Sequence, residues 1–286
     1  YFRNPSIKRH QTFLSKTEKW SLEKLEIYQL KKLQELITHS YTYSEFYRKK
    51  FKDVGLQPND IKKATDILKI PILTKSELFK YTKEIHTSLP FKKKFKAVTS
   101  GTSGNSLMFY REENADSFNR ASIFRGYSWY KLAPWEKNGY FWGFNFDNIK
   151  RIKTDFLDAM QNRFRIFTYE KNALTIFTKK LKTATYVHGY SSMIYQVAKG
   201  INKYNFPKPK NIKMVKGTSE KIYEAYQDEI IKAFGVKMIS EYGATESGII
   251  AFECPKGNMH INMEGVIVEE ENGEIVVTNL QMKLFP

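Results

Sequence analysis

Between Tyr140 and Ser240 the chain changes hydrophobic period repeatedly, and this alternation constrains its fold more than any other feature. Short strand-like segments at Tyr140 to Phe144, Arg163 to Thr168, Tyr186 to His188, Ile212 to Val215 and Val236 to Ser240 are separated by longer stretches of helical period. The helical stretches run near Glu113 to Lys131, Ala173 to Ala184, Ser191 to Ile201 and Ser219 to Phe234, where Ser219 is placed as an N-cap. Strand-helix repetition of this kind predicts an α/β fold with mainly parallel sheets flanked by helices.

The flanks differ from this core. Apolar residues from Thr17 to Ile37 recur at helical spacing and predict one long amphipathic helix, with a second around Ser44 to Phe51. Thr74 stands three residues before Glu77, the spacing of a capping box. At the other end Asn272-Gly273 separates two β-branched runs, Gly265 to Glu269 and Glu274 to Thr278, which predicts a hairpin with a type I′ turn. The expected organisation is a helical lead-in over 1–95, an α/β core over 96–260, and a β-rich tail over 261–286.

A hydrophobic content of 41% and an aromatic content of 15% exclude a disordered chain. No apolar run reaches the ~18 to 20 residues needed to span a bilayer. Cys254 is the single cysteine, so no internal disulfide is available and a reducing, cytoplasmic setting is expected. The net charge of +17 is spread through amphipathic segments, and its densest cluster, Lys92-Lys93-Lys94 with Lys96, is short. Steering of anionic small molecules accounts for such a field without a dedicated nucleic-acid surface.

Three segments have the composition of ligand loops. Thr99-Ser100-Gly101-Thr102-Ser103-Gly104 offers glycine backbone N–H groups and hydroxyls suited to phosphate oxygens. It lacks the Lys-Ser/Thr pair of a P-loop and the three-glycine spacing of a dinucleotide fingerprint; taken alone it also reads as a surface Gly/Ser loop. Glu241-Tyr242-Gly243-Ala244-Thr245-Glu246 follows an apolar strand and combines a ring able to stack on a base, a hydroxyl and a carboxylate. Gly217-Thr218-Ser219-Glu220 stands at the exit of another strand.

Together TSGTSG at 99–104, GTSE at 217–220, EYGATE at 241–246, ECPKGNMHIN at 253–262, GEIVVTNL at 273–280 and DILKIPILTKSEL at 66–78 resemble the adenylate-forming superfamily. The match is to its phenylacetate-CoA ligase branch, which includes the CapK-type proteins of capsule polysaccharide gene clusters. The resemblance implies the large N-terminal domain of an ATP-dependent, carboxylate-activating ligase with Mg2+ as cofactor and coenzyme A as candidate acceptor. It places ATP phosphates on Thr99 to Gly104, adenine against Gly217, Thr218 and the Glu241-Tyr242-Gly243 strand exit with Tyr242 stacking, the α-phosphate on Thr245, and magnesium on Glu246. His188, Gly189 and Tyr190 are implied for the acyl pocket, although a lone His at a strand end is more often a packed core residue.

The sequence departs from the family at Ser106, where a proline is usual. The family also continues beyond a segment like Leu284-Phe285-Pro286 into an Arg-Tyr-x-x-Gly-Asp stretch and a lid domain of ~100 residues. The C-terminal lid domain is absent from these 286 residues, so the chain alone is expected to be incomplete for catalysis. The expected partners are a small-molecule carboxylate, no specific nucleic acid and no membrane span, with a homodimer as the candidate assembly. A degenerate homologue and a basic nucleic-acid-binding protein remain the rival readings. For Cys254 and His260, which lie where some relatives hold zinc, a structural Cys and a surface His are favoured.

Overall fold

The structure is a computed structural model and describes residues 2–99, 106–142 and 148–286, with the side chains of 148–153 excepted. Helices α1 (Ile7–Thr17), α2 (Leu22–Tyr43), α3 (Glu45–Asp53), α4 (Lys75–Lys80) and α5 (Thr82–Ile85) make up the lead-in. The long helix expected over Thr17 to Ile37 is α2, which starts later, at Leu22, and runs on to Tyr43; α1 precedes it and was not expected. Ser21, in extended conformation, accepts from the Lys24 N–H and starts α2 afresh. The capping box before α4 forms as expected: Thr74 and Glu77 each satisfy the other's backbone N–H, at 2.8 and 3.2 Å.

Strands β1 (Lys94–Val98) and β2 (Met108–Glu112) pair antiparallel, with Val98 opposite Met108. Next come α6 (Glu113–Trp129), β3 (Asn138–Phe141), α7 (Asn148–Met160), β4 (Arg163–Arg165), α8 (Lys171–Leu181), β5 (Tyr186–Tyr190), α9 (Ser191–Lys203), β6 (Met214–Thr218), α10 (Gln227–Phe234), β7 (Met238–Ala244), β8 (Gly248–Glu253) and β9 (Met259–Ile261). Strands β10 (Val266–Glu271) and β11 (Glu274–Asn279) form the hairpin expected around Asn272-Gly273, whose φ values of +52° and +81° are those a type I′ turn requires.

The main sheet has seven strands in the order β4-β3-β5-β6-β7-β8-β9, and the ladders from β4 through β7 are parallel. This is the mainly parallel α/β architecture read from the sequence.

Two compact units share the chain. The first comprises 1–125, 244–250 and 261–286; the second comprises 126–243 and 251–260. In the second, Phe141, Val187 and Val215 from the sheet and Leu174, Phe177, Ile194 and Val197 from α8 and α9 are fully or almost fully buried in one core. In the first, Leu33, Leu36 and Ile37 of α2 pack with Phe51, Ile61 and Leu280. The C-terminal segment is fixed there by Glu112, whose carboxylate accepts from the backbone N–H of Lys283 and Leu284. No helix of the described residues is long and apolar enough to cross a membrane.

Candidate functional site

In the second unit, parallel register aligns the residues at the strand exits. Phe141, Gly189, Gly217 and Ser240 lie side by side across β3, β5, β6 and β7. The next row is Tyr190, Thr218 and Glu241; the preceding one is Tyr140, His188, Lys216 and Ile239. Side chains alternate along a strand, so Gly189 and Gly217 share a face with Ser240 and, two residues on, Tyr242.

That face is closely packed. A Cβ built on Gly217 would meet Ser191 Oγ at 2.5 Å and Met238 Sδ at 3.0 Å. Gly189 has φ +143°, and a Cβ on it would lie 2.0 Å from the Phe141 carbonyl oxygen. Both glycines are buried and neither position has room for a side chain: Ser191, Ile222 and Met238 cover Gly217, and the β3 backbone adjoins Gly189. Tyr242 is 44% exposed.

The strand carrying Tyr242 extends further than the sequence pattern indicated. β7 runs to Ala244, so Glu241, Tyr242 and Gly243 are strand residues and only 245–247 form a turn. The stretch after β6 also differs. Ser219 has φ +65° and is not an N-cap, since α10 begins at Gln227. Glu220 instead accepts from the Ser192 N–H at 2.8 Å and so caps the start of α9.

The opposite face carries buried polar groups. His188 Nε2 lies 3.2 Å from Asn138 Oδ1, and its ring contacts those of Tyr140 and Tyr186 at 4.8 and 5.5 Å. Burial, then the Lys216 and Arg163 charges, hold the imidazole well below its ordinary value and keep it neutral. Tyr190 stacks on Trp142 with centroids 4.4 Å apart. Lys216, which sequence reasoning passed over, is buried and bridged to Glu241; Thr218 Oγ1 donates to the same carboxylate at 3.2 Å. Nothing local distinguishes it from the chain's many other lysines.

The neutral His188 has a measurable consequence. Its unfolded form gains a proton below about pH 6.5 and the folded form does not, so stability contributed by this group falls as pH drops through that value. The slope it adds is at most ~1.4 kcal/mol per pH unit. Urea unfolding between pH 5 and 7.5 should show a shallower acid-side loss in His188→Gln than in the unsubstituted protein; identical slopes would mean that His188 takes up its proton in the fold as it does in the unfolded chain.

In the first unit, the Thr99 hydroxyl accepts from the Leu107 N–H at 2.9 Å, and its own N–H donates to the Leu107 carbonyl at 3.0 Å. Thr99 therefore closes the β1–β2 ladder at the base of the Gly/Ser loop. Ser100, Gly101, Thr102, Ser103 and Gly104 lie outside the described residues.

The turn 245–247 is held from both sides. Asn119 Oδ1 accepts from the Ile249 N–H and Asn279 Nδ2 donates to the Ser247 carbonyl, each at 2.8 Å. Gly248, at φ +72°, abuts the same Asn119 side chain. Thr245 and Glu246 are half-buried in this turn, and Glu246 lines a cleft of about 670 Å³ with apolar walls from Ile72 and Ile275 and further carboxylates from Glu269, Glu271 and Glu274. Burial, then Glu271, raises the Glu269 carboxyl above its usual range.

A carboxylate oxygen is a hard donor of the type magnesium takes, and Mg2+ commonly binds through one or two carboxylates with substrate phosphates supplying the rest. Glu246 fits that role. Among the described residues no group of three or more His, Cys, Asp or Glu is placed to hold a metal by itself. The Cys254 N–H donates to the Asn258 carbonyl at 2.9 Å, and the His260 ring contacts that of Trp129.

No family model and no curated protein sequence matches the chain. Solved structures do. An open form of 2-hydroxyisobutyryl-CoA ligase, in complex with 2-HIB-AMP and CoA, aligns over 90% of this chain and 66% of its own with 16% identity and a TM-score of 0.70. The same enzyme in its thioesterification state aligns over 93% and 62% with 16% identity and a TM-score of 0.68. Its postadenylation state aligns over 90% and 60% with 15% identity and a TM-score of 0.68. The chain spans less than two thirds of that ligase's length and shares its α/β fold over that part.

Proposed function

We propose that the chain is the nucleotide-binding part of an ATP-dependent, acyl-adenylate-forming ligase. The observation that carries this reading is the exposed Tyr242 ring one residue past the last rung of the parallel β6–β7 ladder, beyond the carboxyl ends of strands where open α/β sheets bind ligands. It is supported by a fold shared with a CoA ligase whose complexes contain an acyl-AMP and CoA.

In the proposed reaction a carboxylate oxygen of the substrate attacks the α-phosphorus of ATP. The new bond is O–P, and the bond from that phosphorus to the bridging oxygen breaks to release pyrophosphate. Transfer of the acyl group to a thiol such as coenzyme A then releases AMP. Bound magnesium would neutralise charge developing on the phosphates.

The chain's own residues act by positioning and by hydrogen bonding. Gly217 and Tyr242 hold the adenine, Thr245 offers its hydroxyl to the α-phosphate, and Glu246 holds the cation. His188, Gly189 and Tyr190 line the acyl side; a neutral imidazole there can donate or accept a hydrogen bond without placing charge beside the carboxylate. Within this reading the finer assignment is the phenylacetate-CoA ligase and CapK-like branch.

Titration with AMP tests the adenine contact. Tyr242→Ala should weaken AMP binding by ~1 to 3 kcal/mol, the range of aromatic–base stacking, and Tyr242→Phe should bind almost as the unsubstituted protein does. Equal loss in both variants would assign the effect to the hydroxyl and remove the stack. Absence of binding by AMP or Mg-ATP at millimolar concentration would favour a degenerate homologue.

A further inference from the structure

Lys216 lies inside β6 between the buried Val215 and Gly217, with only 3% of its side chain exposed. A charge at such a position is costly unless paired, and an apolar residue of the same length would fill the space without that cost. Its Nζ bridges to Glu241 and sits over the Tyr127 and Phe252 rings, 5.1 and 5.9 Å from their centroids. Glu241 is the residue immediately before Tyr242, and Lys216 the one immediately before Gly217.

The register gives this pair its importance. The β6–β7 ladder ends at the rung Thr218–Glu241, so Tyr242 lies one residue beyond the last rung. At that rung one carboxylate is held from both neighbours of Gly217: Lys216 bridges to one oxygen and Thr218 Oγ1 donates to the other at 3.2 Å. The backbone leading into Tyr242 is thereby tied to the strand that carries Gly217.

We infer that Lys216 is a positioning residue for the purine ring: through Glu241 it fixes the separation between the Tyr242 ring and the Gly217 backbone. The inference rests on the nucleotide reading above. Lys216 itself faces away from the ligand, on the other side of the sheet. Its effect is therefore confined to the base end of a nucleotide and leaves phosphate binding untouched.

A double-mutant cycle on the full chain, read by AMP and pyrophosphate titration and by hydrogen exchange over 241–244, tests it. Lys216→Met should weaken AMP ~10-fold or more through misplacement of the ring, leave pyrophosphate affinity unchanged, and speed exchange over 241–244. Combined with Tyr242→Ala it should add almost nothing, because both substitutions remove one contact. Lys216→Met/Glu241→Leu, which leaves no unpaired charge, should keep the same AMP defect and serves in place of the single variant should that one fail to fold.

Parallel loss of AMP and pyrophosphate, or additivity with Tyr242→Ala, would make the pair a general stability element and overturn the inference. So would unchanged AMP affinity with unchanged exchange. If the unsubstituted protein binds no adenine nucleotide, the nucleotide reading fails and the purine role with it. Faster exchange in Lys216→Met would then still show that the pair fixes the 241–244 segment.

Discussion

Glu246→Gln is expected to lower carboxylate-dependent pyrophosphate exchange by the full-length protein ~10²- to 10³-fold, the loss typical of removing one electrostatic partner of a developing charge. The substitution keeps shape and removes the anion. The turn 245–247 is held by Asn119 and Asn279, with no part taken by the Glu246 side chain in those bonds, so the thermal midpoint should not move. The defect should instead appear as a higher magnesium requirement, partly recovered at raised Mg2+. Exchange that survives Glu246→Gln unchanged would remove the magnesium assignment and leave Glu246 as a wall residue of the cleft beside Ile72 and Ile275.

The periodic parts of this chain were legible before any coordinates. β5, β6 and the helices between them lie where alternating apolar runs placed them, because a strand buried on both faces writes its burial directly into sequence. The hairpin at Asn272-Gly273 was equally plain, since few residue pairs tolerate two positive φ values. The start of α2 was not, because Trp20 continues the apolar spacing back past the Ser21 cap at which the helix begins, and α1 was not read at all. β1 and β2 were missed as strands although Lys94-Phe95-Lys96-Ala97 alternates as a half-buried strand does, because those lysines were read as part of a solvated charge cluster.

At the candidate site, the glycines and Tyr242 were readable by type, whereas the link from Lys216 to Glu241 was not. It joins residues 25 positions apart through a strand register, and register is a property of the assembled sheet. Glu241 illustrates the difference. In sequence it stands among the residues that the resemblance assigns to adenine; in the fold its carboxylate is taken up by Lys216 and Thr218.

Gly189→Ala is expected to destabilise the second unit by at least ~3 kcal/mol, since it combines a disfavoured backbone region with a steric clash in a packed core. At φ +143° an L-side chain is strained whatever space surrounds it, and here the new methyl would lie 2.0 Å from a backbone oxygen of β3 that no rotamer change can move. The strand must shift, and β5 is the strand that carries His188, Gly189 and Tyr190, proposed above for the acyl side. Gly217→Ala is the informative contrast: its nearest neighbour is the Ser191 hydroxyl at 2.5 Å, a side-chain atom that can rotate away from its weak 3.4 Å bond to the Glu220 carbonyl. Urea unfolding should therefore rank Gly189→Ala well below Gly217→Ala in stability, while AMP affinity should rank them the other way among molecules that remain folded, because the methyl on Gly217 stands on the face shared with Tyr242. A Gly189→Ala protein as stable as the unsubstituted one would mean that β3 and β5 do not meet with Phe141 beside Gly189, and the strand row carrying Gly189, Gly217 and Ser240 would have to be redrawn.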